Sequence, residues 1–173
     1  MHVTWWTSRS GFNYSTGSEY YSELWSPVTC NFTKRASAHV VRIYHSLALL
    51  LPDGRVLTGG GGGPVAAGAS NQPNTEIFSP PYLFDPDGRP ATRPVISSAP
   101  TAVGYGQTFL VGTPSAASVN AVTLVSLPST THGFNQNMRL MRLPFTISAG
   151  NLTITTPASP NLAPPGYYMV FLV

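Results

Sequence analysis

The sequence predicts an all-β chain: a partial β-propeller blade region followed by an immunoglobulin-like β-sandwich. Short apolar runs recur along the whole length, separated by turn formers, with Gly 16 and Pro 17 among 173 residues. No window sustains a 3.6-residue apolar period, and Pro interrupts most candidate helices. The texture also changes after Asp87, where a turn-rich Asp-Pro-Asp-Gly…Arg-Pro…Arg-Pro segment gives way to evenly spaced β-rich runs.

Residues 1–20 are polar, aromatic and irregular, and remain unassigned. The next region, 21–87, opens with a strand at Glu23–Ser26, a turn that includes Cys30, and a short strand. Val40–Leu51 reads as a strongly apolar strand. Pro52-Asp53-Gly54 supplies a hairpin turn, and the return strand from Val56 runs into five consecutive glycines, Gly59–Gly63. Glu76-Ile77-Phe78 is a further short strand. Several short strands with a glycine cluster after the second match one blade of a propeller. In the region 88–173, runs at Val95-Ile96, Gln107–Val111, Val119–Leu127, Met138–Leu143, Phe145–Ile147, Leu152–Thr155 and Tyr167–Val173 have the spacing of a sandwich.

Composition excludes several classes of function. Charged residues make up 9% of the chain against 42% hydrophobic, and the net charge of +3 is spread out. No basic cluster interleaves with aromatics, so nucleic acid is not an expected partner. No apolar run is long enough to span a membrane, and no secretory leader is read at the N-terminus. The single cysteine, Cys30, rules out an internal disulfide and a cysteine-based zinc site. All six carboxylates lie at or before Asp87, and Asp53, Asp85 and Asp87 occupy turn contexts, which argues against a paired-carboxylate glycosidase. The glycine run has no Gly-Lys-Ser/Thr after it, so it is a permissive strand end and not a phosphate loop. Asn13-Tyr14-Ser15, Asn31-Phe32-Thr33 and Asn151-Leu152-Thr153 fit the N-glycosylation pattern.

The chemistry-bearing residues are Tyr44 and His45, adjacent in Arg42-Ile43-Tyr44-His45-Ser46, and His132 in Thr131-His132-Gly133-Phe134-Asn135. Two imidazoles and a phenol form an N,N,O donor set suited to tetragonal Cu(II). Neighbours on a regular strand face opposite ways, so Tyr44 and His45 can share a ligand only at a strand end or a distortion.

The run from Arg42 through Leu50-Leu51-Pro52-Asp53-Gly54-Arg55-Val56 to Gly59-Gly60, together with Glu76-Ile77-Phe78-Ser79-Pro80-Pro81-Tyr82-Leu83, resembles the last kelch-type blade of the galactose oxidase and glyoxal oxidase family of copper radical oxidases. Ala91–Ile96, Thr131–Asn135 and Ala163-Pro164-Pro165-Gly166-Tyr167-Tyr168-Met169 resemble that family's C-terminal immunoglobulin-like, early-set domain. The resemblance implies one copper ion. Tyr44 would be its axial tyrosine and the proton acceptor in catalysis, and His45 and His132 its histidines. It implies oxidation of a primary alcohol, aldehyde or sugar by O2 with release of H2O2, in an extracellular enzyme. The radical tyrosine and its cross-linked cysteine belong to upstream blades not encoded in this chain, and Cys30 is not that cysteine. Those missing blades are the implied partner, the last sandwich strand is expected to be absent, and the chain alone is expected to be inactive. The alternative is a non-catalytic carbohydrate- or protein-binding β module, with Trp5, Trp6, Tyr20 and Tyr21 as candidate stacking residues.

Overall fold

The computed structural model describes residues 15–63, 70–132 and 134–173. Trp5, Trp6 and the Asn13 sequon lie outside the described residues. The chain divides into two compact units: residues 1–87 with 128–136, and residues 88–127 with 137–173. A short stretch between two strands of the second unit therefore belongs to the first.

The first unit starts with an antiparallel ribbon of β1 (Tyr21–Ser26) and β2 (Asn31–Ser37). Cys30, at φ 54°, closes the turn between them, and every residue of β2 is exposed. A three-stranded antiparallel sheet follows, in the order β3 (Ser46–Leu50), β4 (Val56–Gly60) and β5 (Thr75–Phe78). Its first turn is pinned twice. Gly54 takes φ 82°, where a side chain would be strained, and Tyr82 donates its hydroxyl to the Gly54 carbonyl at 2.5 Å. Burial, with the Asp53 carboxylate nearby, raises the Tyr82 phenol above its ordinary range.

The strand expected over Val40–Leu51 is shorter than its hydrophobicity suggests, because β3 begins only at Ser46. The preceding residues serve a different structure. Arg42 is buried, and its Nη1 donates to the carbonyls of Gly60 at 2.8 Å and Asn74 at 3.1 Å. Its Nη2 pairs with Glu76 at 3.2 Å. The other Glu76 oxygen accepts the His39 backbone N–H at 2.7 Å and lies 3.2 Å from that residue's ring Nδ1. A guanidinium that holds two carbonyls and a carboxylate cannot alternate in and out along a pleated strand.

The second unit is a sandwich. One sheet has the order β10 (Leu140–Leu143), β7 (Val122–Ser126), β13 (Tyr168–Leu172), and the other β11 (Phe145–Ser148), β12 (Asn151–Thr155), β6 (Thr108–Gly112). Alternate residues face inward, and Val111, Val122, Leu124, Leu143, Leu152 and Ile154 form one buried cluster from both sheets. Ala149 and Gly150, at φ 45° and 75°, make the two-residue turn that right-twisted hairpins prefer. The run Val95-Ile96 forms no strand. Both residues are exposed, and only Ser98 bridges to Gly112 nearby. Two single-turn 3-10 helices, Pro81–Leu83 and Ala116–Ser118, are the helical content among the described residues. None of the described helices is long and apolar enough to cross a membrane.

The segment 128–136 carries the hairpin of β8 (Thr130–Thr131) and β9 (Phe134–Asn135). Gln136 donates its backbone N–H to Ser129 at 3.0 Å, and Ser129 donates to the Asn135 side chain at 3.0 Å, closing its base. Within the first unit β8 packs against β3.

Two outcomes follow for the Arg42 cluster. Arg42→Ala is expected to lower stability by about 3 kcal/mol, because it removes the side-chain donor to two carbonyls and the ion-pair partner of the Glu76 carboxylate, and Arg42→Lys should not rescue it. Denaturant unfolding monitored by tryptophan fluorescence measures both. Burial alone would raise the Glu76 carboxyl, but hydrogen bonds from His39, the Val40 backbone and Arg42 outweigh it and hold it below its ordinary 4.5. A carboxyl depressed in the folded state stabilises above that ordinary value and loses its contribution as the pH falls through the folded value. Acid titrations of the wild type and Glu76→Gln should therefore diverge above that range, with the wild type more stable, and converge below it.

Candidate metal centre

The rings of Tyr44, His45 and His132 gather at one place in the first unit. Tyr44 and His45 stack with centroids 3.9 Å apart, His45 meets His132 edge-on at 4.9 Å, and Tyr44 meets His132 at 5.5 Å. All three residues read from the sequence are thus brought together, although His132 comes from a separate hairpin far along the chain. Among the described residues no three His, Cys, Asp or Glu side chains cluster, so the donor set here is mixed, one phenol and two imidazoles.

The backbone explains how adjacent residues share a site. Tyr44 and His45 occupy a turn closed by a bond from the Ser46 N–H to the Ile43 carbonyl at 3.0 Å. His45 takes φ 62°, a left-handed conformation that a side chain rarely adopts. That reversal breaks the strand alternation and lets both rings face one way. His132 also has φ 54°, just past β8. Each such residue costs on the order of 1–3 kcal/mol and persists where surrounding structure imposes it. The constraint on the first turn comes from the glycine run: Gly62 donates to the Tyr44 carbonyl at 2.9 Å, and Ser46 is in register with Gly60. At Gly60 an added Cβ would lie 2.8 Å from the His45 carbonyl oxygen. The glycines read as a permissive strand end therefore shape the turn that carries the candidate ligands. A shallow recess beside His45 is lined by Gly60–Gly63, Asn71, Gln72 and Pro73.

His45 and His132 are exposed and Tyr44 is half-buried, so the donors are reachable from solvent. Thr131 Oγ1 lies 2.7 Å from His132 Nδ1. With the imidazole proton on Nδ1, the ring donates to that hydroxyl and keeps the Nε2 lone pair free for a metal. Two imidazoles and a phenol gathered this closely are a donor set of the chemical kind that suits copper(II). The Thr131 contact was not anticipated from the sequence. Its signal was only the adjacency of a hydroxyl residue to a candidate ligand. Cys30 is a free, exposed cysteine at the ribbon turn.

Residues 93–173 match the family described as galactose oxidase-like, early set domain. The chain is 36% identical over 153 residues to galactose oxidase of Gibberella zeae, an alignment covering 87% of this chain and 22% of that protein. It is 35% identical over 180 positions to aldehyde oxidase GLOX of Vitis pseudoreticulata, covering 94% of this chain and 34% of that one. Among solved structures, a fungal alcohol oxidase of the AA5 family in complex with copper superposes with a TM-score of 0.87 at 33% identity, over 98% of this chain and 36% of the other. The chain thus spans between 22% and 34% of the length of these two curated relatives.

Gly60→Ala should weaken Cu(II) binding roughly tenfold, the scale seen when support around a metal ligand is lost. Gly88→Ala is the control, since it shares a positive φ of +83° but its added Cβ meets nothing within 4 Å. Titration against a competing chelator reads the difference. Equal affinities in the two variants would show that the Gly60 approach does not set the His45 turn.

Proposed function

For a chain homologous to the C-terminal part of galactose oxidases and glyoxal oxidases, carrying a galactose oxidase-like early set domain over residues 93–173, we propose that Tyr44, His45 and His132 are its share of a copper site. The parent enzyme oxidises primary alcohols or aldehydes with O2 and releases H2O2. The observation that carries this reading is the convergence of the three rings, with centroids 3.9–5.5 Å apart. On this reading residues 21–87 are the end of a kelch-type propeller, residues 88–173 are the immunoglobulin-like domain, and the enzyme is extracellular.

Copper, when bound, supplies a one-electron acceptor and a Lewis acid that acidifies a substrate hydroxyl. The chain's own residues supply the rest of its half of the site. His45 and His132 present imidazole lone pairs, the latter oriented through Thr131. Tyr44, once deprotonated, takes the substrate hydroxyl proton on its phenolate oxygen, which is general-base work. The recess beside His45 leaves one side open for a small alcohol, aldehyde or sugar. The radical-bearing tyrosine, its cysteine and the substrate-selecting walls come from the remainder of the parent enzyme.

Electron paramagnetic resonance of the chain with equimolar Cu(II) tests the ligand set. A tetragonal signal with nitrogen coupling, weakened in His45→Ala and in His132→Ala, is expected. A signal unchanged by both substitutions would remove the assignment. The copper-loaded chain alone should release no peroxide from galactose or methylglyoxal.

A further inference from the structure

Two of the three N-glycosylation sequons fall on described residues, and their surroundings differ. We infer that Asn31 is an N-glycosylation site and that Asn151 is not. The inference rests on the extracellular assignment above, because the modification belongs to the secretory pathway.

Asn31 is the first residue of β2, directly after the turn that Cys30 closes. It is exposed, as are Phe32, Thr33 and the rest of the strand. No hydrogen bond engages its side-chain amide among the described residues. The Thr33 hydroxyl, which the sequon requires, donates over a long 3.4 Å to the Leu24 carbonyl. Val28 and Phe32, 90% and 52% exposed, leave apolar surface around the same turn. The C–H faces of a glycan can cover such surface without disturbing a core.

Asn151 has none of this freedom. It is half-buried and follows the tight turn Ala149-Gly150. Its Nδ2 donates to the Ala149 carbonyl at 3.2 Å. Its Oδ1 lies 3.5 Å from where a Cβ on Gly112 would stand, so the amide fills the space beside that glycine. The middle sequon residue, Leu152, is fully buried in the sandwich core. Thr153 pairs between Leu110 and Thr146 within the sheet. A sugar on Nδ2 would have to displace that packing as the sheet closes.

The step joins Asn31 Nδ2 to the anomeric carbon of an oligosaccharide carried on a lipid diphosphate. The N–C bond forms, the sugar–phosphate C–O bond breaks, and the lipid diphosphate leaves together with the amide proton. No oxidation or reduction occurs.

The full chain, with a cleavable secretory leader and Asn13→Gln to silence the sequon outside the described residues, can be expressed in yeast. Cells and medium are both sampled, so intracellular retention does not hide the product. Peptide mass spectrometry before and after enzymatic deglycosylation should find a glycan on Asn31. It should vanish in Asn31→Gln and in Thr33→Ala, and persist in Asn151→Gln. An unmodified Asn31, or a glycan on Asn151, overturns the inference. Because the leader is supplied, an unmodified Asn31 counts against this site and leaves the extracellular reading of the parent enzyme standing.

Discussion

The buried guanidinium of Arg42 is the interaction on which the candidate site depends. In a chain with 9% charged residues, it is the buried charge of the first unit among the described residues, where it holds Gly60, Asn74 and Glu76 together. These partners lie on or beside β4 and β5, while Arg42 immediately precedes the turn that carries Tyr44 and His45. The guanidinium fixes the chain on one side of that turn. The Ser46–Gly60 register fixes it on the other. Between two fixed points only a tight reversal fits, and His45 takes its left-handed conformation there. A lysine could supply the charge but not the planar fork that reaches two carbonyls and a carboxylate at once.

The two histidines share a backbone signature. His45 and His132 are two of four non-glycine residues at positive φ among the described residues, and they meet each other. Glycine would be the easy residue at either position. The inference runs from these observed conformations to function: strain of this kind is retained where it points a side chain that glycine cannot provide. The glycines lie instead on and just beyond the facing strand, where Gly60 makes room for the His45 carbonyl and Gly62 donates its N–H to the Tyr44 carbonyl. Turn and facing strand have exchanged their usual residues.

Much of this was legible in the sequence, for identifiable reasons. The sandwich was readable because Val122/Leu124 and Leu152/Ile154 alternate with polar residues at the period of a strand, and the turns between them are rich in Gly, Pro and Ser. The three ring residues were readable from residue chemistry and their motifs. The start of β3 was not. Apolar residues dominate from Val40 to Leu51 despite Arg42, His45 and Ser46, and periodicity carries no mark for a buried arginine whose partners are supplied by residues much later in the chain. The Val95-Ile96 run failed for the opposite reason, since β-branched residues there find no neighbouring strand to pair with. The positive φ values of the histidines left no compositional trace either, because the residue that signals such a conformation is glycine, and the glycines were on the other strand.

His132 sits on a hairpin inserted between two strands of the sandwich. The chain leaves the second unit after Leu127 and rejoins it at Asn137. At that stem the Ser126 hydroxyl bonds the Asn137 carbonyl, the Ser126 N–H donates to Arg139 at 3.0 Å, and the Asn137 amide donates to Leu127 at 2.9 Å. These bonds close the neck of the excursion, so the sheet of β7 and β10 continues as though nothing were inserted. The inserted hairpin is closed by its own bonds at Ser129, Asn135 and Gln136. A short loop tied at both ends loses little entropy when its tip is fixed. The strained tip residue, His132, can then be held at a defined place by few contacts, one of them the Thr131 hydroxyl. Precision in the placement of the His132 ring comes from the closed neck and the closed hairpin together.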